Sequence, residues 1–556
     1  MEQRAVDLCA RSDKRFSARE HLDSLRQEIA RNFFPWHAAF TTEMNLGDDF
    51  ADDLIDGTPL IIARDFIGQI GAMLRPPGKQ WFWHRTEDED INNDIECRSY
   101  LDWRSRQMMR IIFDRVTGAK RALKQADEFF GGFGDAVISV DLSKQQDSLR
   151  IRSYHVKDAV WAVGPDNRID TIARKEQITA RNMIARFGEK NVHLQVKQTN
   201  ETSPDQIFEI EHHVLPARDY HGSDKKRDFV SVWVDKANQH ILRDVPQKTF
   251  RYVVPRWVTL PHSAYGLSMA TTIALPDARL IQQQALAILE AAEKQVNPPL
   301  LARTDAIRGD ASLAAGAMTW VDKSYDDRTG DPLKAIELGK NFGLGVDSLL
   351  RTEAQLNRAF YLDVLRMPDT RRSKSTAEVQ FLIDEYIRAA LPLFEPMQAE
   401  YNEAFLFECD TLIELAGGYQ GRPMPERVKR AGLQYVWDNP LSDMQERQKA
   451  QMVGEVSQLA QTIAALETAA AQVPSLKQVD AGKMFRESVM AIGGSSWLLS
   501  EEQAAQAAEA GAQANQAKEL AAAAPNIAKV VDSGVGAAEA AAGIEQQLGI
   551  PILSAA

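Results

Sequence analysis

Apolar side chains recur at helical intervals along the first 130 residues of this chain, at every second position from about 131 to 257, and at helical intervals again thereafter. Leu22, Leu25, Ile29 and Phe33 set the first period. Ser17 followed by Glu20 has capping-box spacing, so residues 1–45 are predicted helical until Pro35 stops the helix. Thr58–Leu74 is predicted as a second helix, with Pro59 in its first turn and Arg75-Pro76-Pro77-Gly78 ending it. Trp81-Phe82-Trp83 reads as a short strand. A third helical pattern covers Asn92 to Arg115 and extends over Ala119–Phe130.

Gly131-Gly132-Phe133-Gly134 reads as a turn into the alternating region. Strands are predicted at Ala136–Leu142, Leu149–Tyr154, Ala159–Val163 and Ile169–Lys175, with Gly164-Pro165-Asp166-Asn167 as a hairpin turn. Ile178–Phe187 reads as a short helix closed by Gly188. Phe208–Leu215, Phe229–Asp235 and Gln239–Val245 are further strands. A helical layer beside an antiparallel β-rich subdomain is an α+β arrangement.

The stretch from Tyr252 to Arg388 is the most organised. A helix of about 20 residues, Asp277–Val296, spans roughly 30 Å. Asn297-Pro298-Pro299 breaks it. The insert 298–342 holds short strands around Leu300, Met318–Val321 and Leu333–Leu338. A second helix of matching length, Val346–Leu365, follows, so an antiparallel pair with a tip module is expected. A basic loop then leads into a helix at Ser375–Leu391, which Pro392 and Pro396 separate from the run to Leu415. Leu433–Trp437 reads as a strand, Gln445–Ala471 and Asp480–Ile492 as helices. From Glu501 the Ala/Gln/Glu-rich tail reads as an exposed helix or a disordered segment.

Charge changes the picture. Lys and Arg number 65 against 78 Asp and Glu, a net charge of −13. Proteins that wrap nucleic acid do so with basic surface, because neutralised phosphates release counterions. Any DNA contact here must come from local basic loops. The three cysteines, Cys9, Cys97 and Cys409, form no CxxC, which fits a reducing compartment. No apolar run reaches membrane-spanning length, and the N-terminus lacks a signal-peptide core. A cytosolic protein, or one assembled in the cytosol, is expected.

No catalytic or metal constellation emerges. Gly131–Gly134 lacks the following Lys-Ser or Lys-Thr of a phosphate loop. His212 and His213, near Glu209 and Glu211, point to opposite faces of a strand and cannot share one ion, so they read as core or surface histidines. Ser263 and His262 form no triad signature. The acidic runs Asp48–Asp53 and Glu87–Asp94 lack EF-hand spacing. The aromatics Trp81, Phe82, Trp83, Tyr252, Trp257 and Tyr265 read as core rather than base-stacking platforms. Ala285, Ala291 and Ala292 let helices approach closely. The loop Arg366, Arg371, Arg372 and Lys374 can touch phosphate, or can be a solvated turn meeting acidic neighbours.

With these segments laid out, the sequence resembles the portal (head-to-tail connector) proteins of T7-like short-tailed bacteriophages. The resemblance reaches to about residue 500. It rests on the order of Asn32-Phe33-Phe34-Pro35, Asp56-Gly57-Thr58, Leu74-Arg75-Pro76-Pro77-Gly78 and the run from Phe130 to Val140. Gly164–Thr171 with Arg174, Ile184–Gly188, Pro255-Arg256-Trp257, Tyr265-Gly266 and Ala274-Leu275-Pro276-Asp277 continue it. Ser375–Val379 and Asn439-Pro440-Leu441 complete it. Met269, where the family often has Pro, and Gly493-Gly494-Ser495-Ser496, in place of Gly-Val-Pro, depart from the pattern.

The resemblance implies a phage portal fold: wing (1–275 and 376–478), stem helices (276–296 and 346–365), small α/β clip (297–345), tunnel loop (366–375), and helical crown with tail (479–556). It implies a ring, usually of twelve subunits, at one vertex of the virion head and assembled in the host cytoplasm. The implied partners are other copies of itself, double-stranded DNA without sequence preference, the terminase large subunit, tail adaptor or nozzle proteins, and capsid and scaffolding proteins, with no membrane. No cofactor, metal or catalytic residue is implied, and the motor ATPase would be a separate protein. Arg366, Arg371, Arg372 and Lys374 become tunnel-loop DNA contacts. Glu290, Glu293, Glu353 and Asp363 become acidic channel-lining candidates, and Arg303, Arg308, Asp326, Asp327 and Arg328 clip candidates for partner binding. A non-portal scaffold, or an enzyme with an unrecognised site, are the alternatives.

Overall fold

The computed structural model describes residues 2–45, 47–49, 51–52, 54–76, 78–143, 148–220, 227–261, 263–296, 300–302, 333–335, 342–365, 397–437 and 461–462. The chain divides into two units, 1–444 and 445–556, and the first holds nearly all of the described residues.

Helices α1 (Glu2–Ala18) and α2 (Glu20–Phe33) open the chain. The expected Ser17–Glu20 capping box does not form. The break falls at Arg19, which supplies no side-chain cap. Its guanidinium turns inward and donates to the carbonyls of Val156 (3.0 Å), Lys157 (2.7 Å) and Ala159. A buried cation needs acceptors, and three carbonyls fix the break more firmly than one hydroxyl would.

Helix α3 (Thr58–Leu74) has the predicted bounds, with Pro59 in its first turn. Strand β1 (Phe82–Arg85) follows. The next predicted helix is split into α4 (Glu89–Asn93) and α5 (Ile95–Ile112). Asp94 divides them because its carboxylate accepts the Cys97 N–H at 3.2 Å, which starts a new helix.

Helix α6 (Ala119–Phe133) corrects the expected Gly131–Gly134 turn: Gly131 and Gly132 form its last turn, and Gly134 ends it at φ 84°. Close packing explains the glycine at 131, since a Cβ there would overlap Ile67 of α3.

Strands β2 (Val137–Leu142), β3 (Leu149–Tyr154), β4 (Ala159–Val163) and β5 (Ile169–Thr179) come next. Then come α7 (Ala180–Phe187), capped by Thr179, and α8 (Leu194–Thr202), which the apolar pattern did not reveal. Strands β6 (Ile207–Pro216), β7 (Phe229–Asp235), β8 (His240–Gln247) and β9 (Tyr252–Val253) complete two sheets, of order β3-β2-β9 and β4-β5-β6-β7-β8. Every pair is antiparallel, as the alternation required. Ile178, Met183, Phe187, Val196 and Ile210 close a core between α7, α8 and the larger sheet, while Ala5, Leu8 and Cys9 of α1 pack with Leu215, Val230, Val232 and Val234 of that sheet.

After β10 (Val258–Thr259) and β11 (Gly266–Leu267) the chain enters α9 (Met269–Val296), β12 (Leu300–Ala302), β13 (Leu333–Ala335), α10 (Phe342–Ala359) and α11 (Leu362–Leu365). A π-helical turn, Gln398–Glu403, then leads into α12 (Ala404–Leu415), α13 (Glu426–Ala431) and β14 (Gln434–Trp437). This returning segment is bound into the body. Strand β14 pairs antiparallel with β1, Phe82 opposite Trp437. Arg104 pairs with Asp410 at 2.7 Å, and Arg75 reaches both Asp127 and the Asn402 side-chain oxygen (2.8 Å). Tyr401 donates to Asp127 at 2.8 Å. The main core runs through all of these elements, from Ile29 and Phe33 through Phe66, Phe130 and Trp257 to Phe405 and Leu412.

The predicted strand at Met318–Val321 and the predicted helices Ser375–Leu391 and Asp480–Ile492 lie outside the described residues, as does the tail from Glu501. Of Gln445–Ala471 only residues 461–462, helical, are described.

Candidate functional site

The helix expected to begin at Pro276 begins at Met269 and carries Pro276 inside it. Two side chains at its start explain why. Ser268 Oγ and Thr271 Oγ1 donate to the carbonyls of Gly131 and Gly132, each at 2.7 Å, and so satisfy the free C-terminal carbonyls of α6. Ala270, Thr271, Ala274, Leu275, Ala278 and Ile281 are buried against the body. That burial outweighs an interior proline, which costs about 3 kcal/mol.

Gln282 is the last buried residue of α9. Beyond it the helix is partnered by α10. Gln284 Nε2 donates to Ser348 Oγ (2.9 Å), and Thr352 Oγ1 donates to Gln284 Oε1 (3.0 Å). Gly345 lies beside Ile288, so the two helices run antiparallel. Strand β12 pairs with β13, Leu300 opposite Ala335, just beyond the end of α9.

Helix α10 is shorter than expected. It stops at Ala359, and Tyr361 takes a left-handed φ of 55° before α11. The cause is packing: Phe360 sits edge-on to Phe33 (5.2 Å) and Phe66 (5.3 Å), and Leu362 and Leu365 are buried. A straight helix could not place all three side chains in the core.

The outer faces of this hairpin carry two kinds of residue. Leu286, Leu289 and Glu293 follow one ridge of α9 at i, i+3 and i+7; Val346, Leu350 and Glu353 follow one ridge of α10 at i, i+4 and i+7. Leu289 is 58% exposed and Leu350 54%. Gln283, Glu290 and Lys294 form a separate polar ridge, with Lys294 Nζ 3.9 Å from Glu290. Asp363 lies on α11, exposed and 3.8 Å from Arg358. Of the expected close-approach alanines, Ala285 and Ala292 are half-buried and Ala291 is exposed. The basic loop residues Arg366, Arg371, Arg372 and Lys374 lie outside the described residues, as do Arg303, Arg308, Asp326, Asp327 and Arg328.

The body buries several charged groups. Asp135 is fully buried, paired with Arg26, and accepts the Gly266 N–H at 2.7 Å. Burial pushes its carboxyl up to about 7 against the pull of Arg26. Burial would also raise Asp410, but His84 and Arg104 outweigh it and hold it down to about 2. Burial, then His37, hold His155 down to about 3. The expected aromatics are core: Trp81, Phe82, Tyr252 and Trp257 are buried, and Trp83 and Tyr265 half-buried. Ser263 Oγ donates to the Tyr265 carbonyl, and His262 lies outside the described residues. His212 and His213 are both buried and face opposite ways. His212 lies between Tyr252 and Ser231, each at 2.7 Å, whereas His213 lies 3.1 Å from Glu211. A juxtaposition that the sequence pattern did not reveal is Cys9 beside Glu211 and His213. The signal for it was the Glu-x-His spacing on one face of β6.

The α+β body and its helical hairpin lie within a match that covers most of the chain. The model of the family described as bacteriophage head to tail connecting protein covers residues 7–499, and the chain belongs to that family. The chain is 24% identical over 388 residues to the probable portal protein of Bordetella phage BPP-1, covering 68% of this chain and 67% of that one. It is 23% identical over 437 residues to the portal protein of Salmonella phage epsilon15, covering 76% and 77%. Among solved structures, a chain in the virion of a native gene transfer agent particle aligns over 72% of this chain and 86% of its own, at 8% identity and a TM-score of 0.32.

Proposed function

We propose that this connector assembles as a closed ring, of twelve subunits, around a channel through which double-stranded DNA is packaged and ejected at one capsid vertex. Residues 1–275 and 376–478 are its wing, and the α9–α10 hairpin its stem. Residues 297–345 are a clip that meets the terminase large subunit and afterwards tail adaptor or nozzle proteins. Residues 366–375 are the tunnel loop, and 479–556 the crown and tail towards the capsid interior, where scaffolding and capsid proteins meet the ring. The ring has no catalysis of its own.

The observation that carries this reading is the pair of exposed leucine ridges on the stem. Apolar surface left by a subunit on an ordered hairpin is covered when copies stand side by side. A ring of this kind sorts the four acidic candidates. Glu293 and Glu353 share ridges with the leucines and lie towards neighbouring subunits. Glu290, on the polar ridge, faces the channel. Asp363, paired with Arg358, lies near the wing. A net charge of −13 suits a channel that must let DNA slide.

Negative-stain imaging and mass measurement of the full chain test it. Rings with a central hole are expected, and Leu289→Asp with Leu350→Asp should release folded monomers. Wild-type monomers or filaments would overturn the assignment, and rings unaffected by both aspartates would remove the leucine ridges from the subunit interface.

A further inference from the structure

We propose that Cys9, Glu211 and His213 form a binding site for a zinc-type divalent metal ion that ties α1 to the five-stranded sheet. Glu211 and His213 are two apart on β6, so both face the helix above. Cys9 comes from that helix. The three are 7%, 0% and 4% exposed, and their ligand atoms all lie within 4.8 Å of one another. Tetrahedral zinc with bonds of about 2.0–2.3 Å places its ligands roughly 3.3–3.8 Å apart. A small side-chain adjustment closes that difference.

A second observation points to a ligand. His213 Nε2 is buried and faces Glu211 Oε2 at 3.1 Å without a well-directed hydrogen bond. An ion between the imidazole and the carboxylate gives this nitrogen the electron-pair acceptor it lacks. The surroundings supply an outer layer of contacts. Ser12 Oγ donates to Glu211 Oε2 at 2.6 Å, and Lys236 lies 3.0 Å from Oε1. Such contacts orient a metal-bound carboxylate. Lys236 does not exclude a cation, because it also reaches Asp13 (2.7 Å) and Glu209 (3.4 Å). Even with Lys175 3.9 Å from Glu209, three carboxylates face two ammonium groups.

The donor set selects the metal class. Thiolate, imidazole and carboxylate together suit zinc or cobalt rather than calcium or magnesium, which prefer oxygen throughout. His213 also borders a cavity of about 300 Å³, lined by Thr171, Arg11, Arg15 and Arg218 among others. Water or a small anion can complete the coordination from there. The site's role is structural: it holds the first helix to the wing.

Cobalt(II) titration of the chelator-stripped full chain tests this, followed by displacement with zinc. One equivalent per chain should bind, with a sulfur-to-cobalt charge-transfer band that zinc abolishes. Cys9→Ser should eliminate the band. His213→Gln should weaken binding about tenfold or more. The double variant Cys97→Ser with Cys409→Ser should keep the band, which separates this thiol from the other two buried ones. Zinc should raise the melting temperature of the wild type but not of Cys9→Ser, with circular dichroism checking that each variant is folded. A folded wild type with no charge-transfer band, or a band that survives Cys9→Ser, overturns the proposal.

Discussion

The carboxamide of Gln282 closes a two-way hydrogen-bonded ring with the backbone of Asp56. Its Nε2 donates to the Asp56 carbonyl at 2.7 Å, while Oε1 accepts the Asp56 N–H and the Ile55 N–H, each at 2.8 Å. This residue marks where α9 leaves the body. Gln282→Leu keeps the bulk and orphans three backbone groups, at a cost of roughly 1–3 kcal/mol. Thermal unfolding should show that loss, and hydrogen exchange at residues 55 and 56 should quicken. Unchanged exchange there would refute the anchoring role.

Gly134 and Gly131 should respond differently to alanine. Gly134 has φ 84°, and a Cβ there would overlap the backbone of Leu267, which cannot move alone. Gly134→Ala should cost more than about 3 kcal/mol or prevent folding, because conformational strain and overlap add. At Gly131 the obstacle is the far end of the flexible Ile67 side chain. Gly131→Ala should cost roughly 1–3 kcal/mol, the usual range for overpacking. Chemical denaturation of both variants checks the order, and equal losses would contradict it.

Acid sensitivity should trace in part to His155. Its folded value is about 3 against an ordinary 6.5. Between those pH values the unfolded chain binds a proton that the folded chain refuses. Stability is therefore lost as pH falls from 6.5 towards 3, by up to about 1.4 kcal/mol per pH unit. Asp135 and Glu408, raised by burial to about 7 and about 6, act in the opposite direction. His155→Phe should shift stability by a constant through the lost acceptor for the Lys157 N–H, and should also flatten the acid limb. Urea midpoints across this range decide the matter; parallel curves for variant and wild type would rule His155 out.

Replacing Arg366, Arg371, Arg372 and Lys374 with glutamine should impair DNA retention or packaging and leave ring assembly intact. Such contacts are weak and salt-dependent, so the defect should be largest at low salt and shrink as salt rises. In vitro packaging and particle stability assays read it out. Normal retention would show that these four are a solvated turn.

Much of the body was legible because its signals are local. Thr58–Leu74 carries a proline at its start and Arg75-Pro76-Pro77-Gly78 at its end, and α3 has those bounds. Strand Phe229–Asp235 likewise has its predicted bounds. Misreadings arose where tertiary contacts overrode a local cue. The helical pattern was expected to start near Pro276, but burial and the capping of α6 carry α9 back to Met269. Gly131-Gly132 looked like a turn, but glycine there serves the close approach of α3. Tyr361 looked helical, and only the pull of Phe360 into the core explains its left-handed backbone. The Cys9 cluster was hidden because Cys9 is remote in the chain from Glu211 and His213, and only the packing of α1 on the sheet joins them.

The anchoring of both hairpin ends in one core has a consequence for hairpin length. Gln282 fixes the outgoing helix, Phe360 fixes the returning one, and β14 locks the later chain onto β1. A change of length confined to the described parts of α9 and α10 beyond those two fixed points leaves the packing of the body untouched.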